Sequence, residues 1–205
     1  MTKKLFVLLL VFLPVSLSSQ NIDIRILRSL NSSHTLPSDK IFQFVSNSNK
    51  YIVFGIPTTM ATIGLIKHDD QLFINACVIL GATAVNLGVT AALKYSFNRE
   101  RPFVTYPYPD IMKKSDGKSP SFPSGHTSIA FATATSLTLA YPKWYIIVPS
   151  YTWASTVAYS RMELGVHYPS DVLIGALVGA GSAWLSFEVN KKLNINSMKK
   201  SRTVN

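Results

Sequence analysis

Apolar residues in this chain come in blocks, and the blocks change character along its length. Lys3 and Lys4 precede a short apolar core over residues 5–17, broken by Pro14 and followed by the small residues Ser16 and Ser18. That order predicts an export signal over residues 1–19, or an N-terminal anchor if it is not cleaved. The core falls short of the roughly 20 residues a spanning helix needs, which favours the cleaved signal. Residues 21–50 alternate with a helical period: Ile22, Ile26, Leu27 and Leu30, then Ile41, Phe42 and Val45, with a break expected at Pro37. This predicts two short amphipathic helices, lying at a membrane interface or packed on a bundle.

Five longer apolar segments follow, at 51–66, 72–93, 126–141, 144–160 and 172–189. The first is ended by Lys67, His68, Asp69 and Asp70, the third by Pro142 and Lys143. None shows the charged outer face that a soluble helix carries. They are rich in Gly, Ala, Ser and Thr, residues that let membrane helices approach closely, and Gly175 and Gly179 stand at GxxxG spacing. The expected fold is therefore an all-α, polytopic transmembrane bundle of about five spans. Residues 20–190 form its one domain, and the basic segment 191–205 is a cytoplasmic tail.

Composition agrees. Hydrophobic residues make up 47% of the 205 and charged residues 15%. The net charge of +10 admits a membrane surface or an anionic substrate. It argues against nucleic acid, because the cations are scattered between apolar runs and make no basic face. A single cysteine, Cys77, excludes an internal disulfide.

Charge placement changes the picture. With residue 21 outside, the links at 67–70 and 142–143 and the Lys-rich tail are cytoplasmic, as the positive-inside tendency requires. Yet the two outer links, 94–124 and 161–170, are basic as well. They hold Lys94, Arg101 and Arg161, each at a segment end, where a cation avoids the roughly 2.5–3.5 kcal/mol of sitting at a helix centre. An anion site on the outer face accounts for the exception.

The same links hold the candidate chemistry. In Pro123-Ser124-Gly125-His126, Ser124 is a good helix N-cap and Gly125 permits close backbone approach. Free N–H groups, a hydroxyl and an imidazole then meet at one helix start, which suits phosphate. His167 and Asp171 are four apart around Pro169, so Asp171 falls in the first turn of a helix with His167 just before it. There the carboxylate can accept a ring N–H, fixing the tautomer and favouring the cation that forms when the other nitrogen attacks. The histidines lack metal-ligand spacing and there is no cysteine pair, so no metal or other cofactor is expected.

Three blocks, Lys94-x6-Arg101-Pro102, Pro123-Ser124-Gly125-His126 and Ser160-Arg161-x5-His167-x3-Asp171, resemble the tripartite signature of the type-2 phosphatidic acid phosphatase (PAP2) superfamily. The flanking apolar segments resemble its membrane branch. The resemblance implies that His167 attacks phosphorus and forms a phosphohistidine, that Asp171 orients it, and that His126 protonates the leaving group. It implies that Lys94, Arg101 and Arg161 neutralise the phosphoryl oxygens, with Ser124 and Gly125 completing the cradle. The implied substrate is a lipid phosphate: undecaprenyl diphosphate, phosphatidylglycerophosphate, phosphatidic acid or a lipid A phosphate. The implied setting is a bacterial inner membrane with the site facing the periplasm. The loop 103–121, with Tyr106, Tyr108, Lys113, Lys114 and Lys118, is expected to cover the site. Alternatives are a non-catalytic lipid-binding or transport protein and a vanadium haloperoxidase.

Overall fold

The computed structural model describes residues 15–31, 36–115 and 117–202. It contains helices α1 (Val15–Asn31), α2 (Leu36–Lys67), α3 (Asp70–Phe97), the single turn α4 (Pro102–Thr105), α5 (Gly125–Ala140), α6 (Trp144–Glu163) and α7 (Pro169–Arg202). Among the described residues there is no strand. Most of the expected signal lies outside the described residues.

The hub is α5, which packs against α7, α6, α3 and α2. Its sequence explains this. Thr127, Ser128, Ala130, Ala132, Thr133, Ala134 and Ser136 are all buried, and such short side chains let four helices close around one. The approach is tightest against α7. A Cβ on Gly175 would stand 2.7 Å from the Ser124 carbonyl oxygen, and one on Gly179 only 2.0 Å from that of Ser128. The GxxxG pair thus seats α7 directly on the first turns of α5.

The bundle is polar inside and apolar outside. On α3, Asn75, Thr83, Asn86 and Thr90 are buried while Val85, Leu87 and Val89 face outward. Ser128 Oγ donates to Asn86 Oδ1 at 2.7 Å and meets Thr90 Oγ1 at 2.7 Å. Water would reverse that arrangement, and a bilayer favours it. Asp70–Thr105 and Pro169–Leu193 are each long and apolar enough to cross a membrane.

One sequence-based boundary is corrected. The second amphipathic segment is not separate: it and the first apolar segment form the continuous 32-residue α2. The polar run 46–50 looked like a boundary, but Ser46 and Asn49 are buried against α5 and α6 and bonded across to them. The break expected at Pro37 falls just before it: one helix ends at Asn31 and the next starts at Leu36, with Pro37 in its first turn, where its missing N–H costs nothing. α7 continues into the basic segment as far as Arg202.

α1 packs on the bundle through α6 and α7. Ile24 and Leu27 are buried with Ile111 and Tyr168, and Phe103, Tyr106 and Met162 close around them. The 103–121 loop is anchored at several points. Arg28 holds Asp110 through two bonds of 2.7 and 2.6 Å. Asn31 brackets Met112, donating to its carbonyl and accepting its N–H. Lys114 Nζ lies 2.8 Å from Asp39 and 3.8 Å from Glu163.

Candidate active site

At one end of the bundle a cavity of about 250 Å³ is lined by Lys94, Arg101, Gly117, Lys118, Ser119, Gly125, His126, Arg161 and His167. A larger open depression of about 530 Å³ runs along α6 between Val148 and Tyr159; it holds no charged side chain and none of the candidate residues.

Each cation is delivered by a helix end. Asp69 caps the start of α3 by accepting the Leu72 N–H at 3.0 Å. At its other end Asn98 takes the left-handed conformation (φ 42°) and its N–H returns to the Lys94 carbonyl. Asn tolerates this geometry better than most residues. The turn leaves Lys94 in the last helical turn and sends Arg99 and Arg101 back over the site. Lys94 Nζ donates to the Pro120 carbonyl at 2.5 Å. Arg101 is buried, donating to the carbonyls of Ser119 (2.8 Å) and Val166 (3.0 Å). Arg161, in the last turn of α6, is buried and donates to Ser46 Oγ on α2.

His126 stands in the first turn of α5, and its carbonyl accepts the Asn49 side-chain N–H at 2.9 Å. Its imidazole faces the cavity and makes no hydrogen bond among the described residues.

His167 precedes α7 and is buried. Arg101 Nη1 lies 3.4 Å from its Nε2. A guanidinium can only donate, so Nε2 presents a lone pair and the proton belongs on Nδ1. Nδ1 in turn faces Ser121 Oγ at 3.4 Å and Asp171 Oδ2 at 3.6 Å. Burial lowers the His167 pKa to about 4; Asp171 opposes the shift, and Arg101 and Arg161 add to it. The ring is neutral at pH 7, as a nitrogen nucleophile must be.

Of the eight sequence candidates, Lys94, Arg101, Gly125, His126, Arg161 and His167 line the cavity. Ser124 and Asp171 lie fully buried outside its lining. Ser124 occupies the N-cap position but makes no side-chain cap bond, which corrects that expectation. Its Oγ accepts from Thr127 Oγ1 at 2.9 Å and its N–H donates to the Asp171 carbonyl at 2.9 Å, tying α5 to α7. Sequence reasoning missed Ser121, which donates to Asp171 Oδ2, and Arg99, which donates to Asp171 Oδ1 at 2.8 Å. It also missed Asp23 on α1, bonded to both Arg99 and Ser170. Arg99 does sit inside the Lys94–Arg101 block, an extra cation that could have drawn attention; nothing in its segment marks Asp23.

Cations, donors and two imidazoles around a small cavity make a site for a tetrahedral oxyanion and for transfer of its central atom. That defines the class as a phosphoryl-transfer enzyme. The family model of the PAP2 superfamily matches residues 75–195, and the chain belongs to that superfamily and is a phosphatase. It is 30% identical to the undecaprenyl-diphosphatase of Sulfolobus acidocaldarius over 187 residues, 90% of this chain and 87% of that one. The crystal structure of Aquifex aeolicus LpxE aligns with TM-score 0.68 and 25% identity, covering 82% of this chain and 95% of that one. The transmembrane PAP2-type phosphatidylglycerolphosphate phosphatase of Bacillus subtilis has the same fold, with TM-score 0.74 at 21% identity, covering 92% and 94%.

Proposed function

We propose that this protein is an integral membrane phosphatase that hydrolyses the phosphate monoester or diphosphate of a lipid through a phosphohistidine intermediate. The observation that carries the reading is the orientation of His167: it lines the cavity, its Nε2 stands beside the cavity cation Arg101, and Asp171 and Ser121 lie behind Nδ1.

In the first step Nε2 of His167 forms a bond to phosphorus while the bond to the leaving oxygen breaks, and His126 gives that oxygen its proton. Lys94, Arg101, Arg161 and the Gly125 N–H hold the three equatorial oxygens. The Nδ1 proton of His167 stays in place, and Asp171 stabilises the positive ring. In the second step water attacks phosphorus, the neutral His126 accepts a water proton, and the P–N electron pair returns to Nε2. Positioning and electrostatic stabilisation supply most of the acceleration in such reactions, and general acid help is worth roughly 10²–10⁴ in rate.

The polar-inside, apolar-outside bundle supports a bilayer setting, and the name of the Sulfolobus relative supports a polyprenyl diphosphate among the substrates. We read α2, α3, α5, α6 and α7 as five spans, with the cavity on the outer, periplasmic side of a bacterial inner membrane after an N-terminal export signal. The test is phosphate release from undecaprenyl diphosphate by purified protein in detergent without added metal. Release is expected from the native chain and not from His167→Ala; full turnover by that variant would overturn the nucleophile.

A further inference from the structure

The carboxylate that faces His167 is itself held from behind. Asp171 Oδ2 receives Ser121 Oγ and the Tyr168 N–H (3.0 Å), on the side of His167. Oδ1, on the other side, receives Arg99 Nη1 at 2.8 Å. The same nitrogen donates to Ser170 Oγ at 2.8 Å, and Nη2 donates to Asp23 Oδ2 at 3.0 Å. Asp23 also accepts the Ser170 N–H at 3.0 Å and the Ser170 hydroxyl. The Arg99 guanidinium lies over the Tyr168 ring, 3.9 Å from its centroid. Arg99 does not line the cavity, and Asp23 is buried on α1, outside the 75–195 family match.

We propose that Arg99 and Asp23 are a positioning pair: Asp23 fixes the Arg99 fork, and Arg99 fixes the Asp171 carboxylate so that Oδ2 rather than Oδ1 serves His167. The inference rests on the phosphohistidine reading. The geometry supplies the reason. Asp171 lies in the first turn of a helix and could rotate about its χ angles; the charge-assisted Nη1–H on Oδ1, from a guanidinium whose Nη2 is anchored on Asp23, sets which oxygen turns to His167. The His167–Asp171 separation of 3.6 Å is loose, so its closure during attack depends on which way the carboxylate is held. Asp23 repays the burial of the extra cation and ties the N-terminal helix to the site. Neither residue reaches the substrate, so their effect falls on turnover and not on binding.

The experiment compares Arg99→Met, Arg99→Lys, Asp23→Asn and the double variant Arg99→Met/Asp23→Asn. Each is measured for kcat, KM and inhibition by inorganic phosphate, with an Asp171→Asn background in parallel. Arg99→Met should lower kcat about 10–100-fold, the size of loss that removing the partners behind metal-bound histidines produces. KM and phosphate inhibition should stay within about twofold, and Arg99→Lys should recover part of kcat. The double variant should be no worse than Arg99→Met, and in the Asp171→Asn background Arg99→Met should cost nothing further. A cost that persists there, or one that falls on KM, overturns the positioning role. If Arg99→Met does not fold, the near-isosteric Asp23→Asn decides, and unchanged kcat in it overturns the pair. The arms separate the two ideas: an active His167→Ala defeats the phosphohistidine reading. An inactive His167→Ala beside Arg99→Met at native kcat defeats only this inference.

Discussion

Arg101 presents an N–H to Nε2 of His167 at 3.4 Å, so the ring nitrogen beside that cation is the one left unprotonated. That is the state in which the proposed mechanism uses the ring, and the field of Arg101 and Arg161 joins burial in keeping it neutral.

The sign of the pH dependence follows. The proposed mechanism requires neutral His167, whose pKa is lowered to about 4 from 6.5. Loss of the proton that His126 gives the leaving oxygen sets the alkaline limb; on the acid side kcat/KM should persist through the range where an ordinary histidine gains its proton and fall as pH drops through about 4. That lies below the second ionisation of a phosphate monoester near 6, so the two ionisations separate. Asp171→Asn removes the group that raises the pKa, so the limb should move further down, with a rate loss of roughly 10²–10⁴-fold from the misheld ring. A pH–rate profile of both forms in detergent checks this; a native limb near 6.5 assigned to His167 contradicts it.

Gly117 lies against the Arg101 guanidinium, where an added Cβ would stand 2.6 Å from Cζ. The obstacle is the far end of a long side chain, so Gly117→Ala should leave thermal stability near native. It should displace the guanidinium by a fraction of an ångström to an ångström. Misplacements of about 1 Å can cost about 10²-fold, and we expect kcat/KM to fall about 10–100-fold. Steady-state kinetics beside a thermal midpoint distinguish this from unfolding.

Gly179 behaves oppositely. Its missing Cβ faces backbone, 2.0 Å from the Ser128 carbonyl oxygen and 2.9 Å from the Ala132 N. Neither can swing aside, so Gly179→Ala must push α5 and α7 apart, at a cost of about 1–3 kcal/mol. Gly181→Ala is the control: nothing lies within 4 Å of its Cβ position, and alanine is the better helix former. The first should lower the thermal midpoint in detergent and the second should not.

The residues that line the cavity were legible because their spacing is local. Lys94 and Arg101 bracket one helix end, and His126 and His167 each sit at a helix start. The partners behind them were not, because each is made across the chain. Asp23 is 147 residues from Ser170, and Asn49 is 77 from His126. A polar residue within an amphipathic repeat looks solvent-facing until the element that covers it is known. The same blindness hid α2: Ser46, Ser48 and Asn49 looked like a boundary, yet they continue the helix because Arg161, Trp153 and the His126 carbonyl bond to them.

Lys118 is the cavity residue least like the others. Lys94, Arg101 and Arg161 are each tied to a protein oxygen, whereas Lys118 is exposed and makes no hydrogen bond or ion pair among the described residues. A cation free at the rim, beyond three that already surround one phosphoryl group, is placed for charge that extends past that group. A diphosphate carries such charge and a monoester does not. Lys118→Ala should therefore raise KM for undecaprenyl diphosphate about 5–10-fold, the worth of one charge-assisted hydrogen bond at an exposed site. KM for a lipid monophosphate should change less than about twofold. Because the ammonium is exposed, the difference should shrink as salt is raised from about 0.01 M to 0.15 M, where the screening length falls from about 30 to 8 Å. Paired KM measurements on the two substrates at both salt concentrations check this, and an equal loss on both means that Lys118 does not tell them apart.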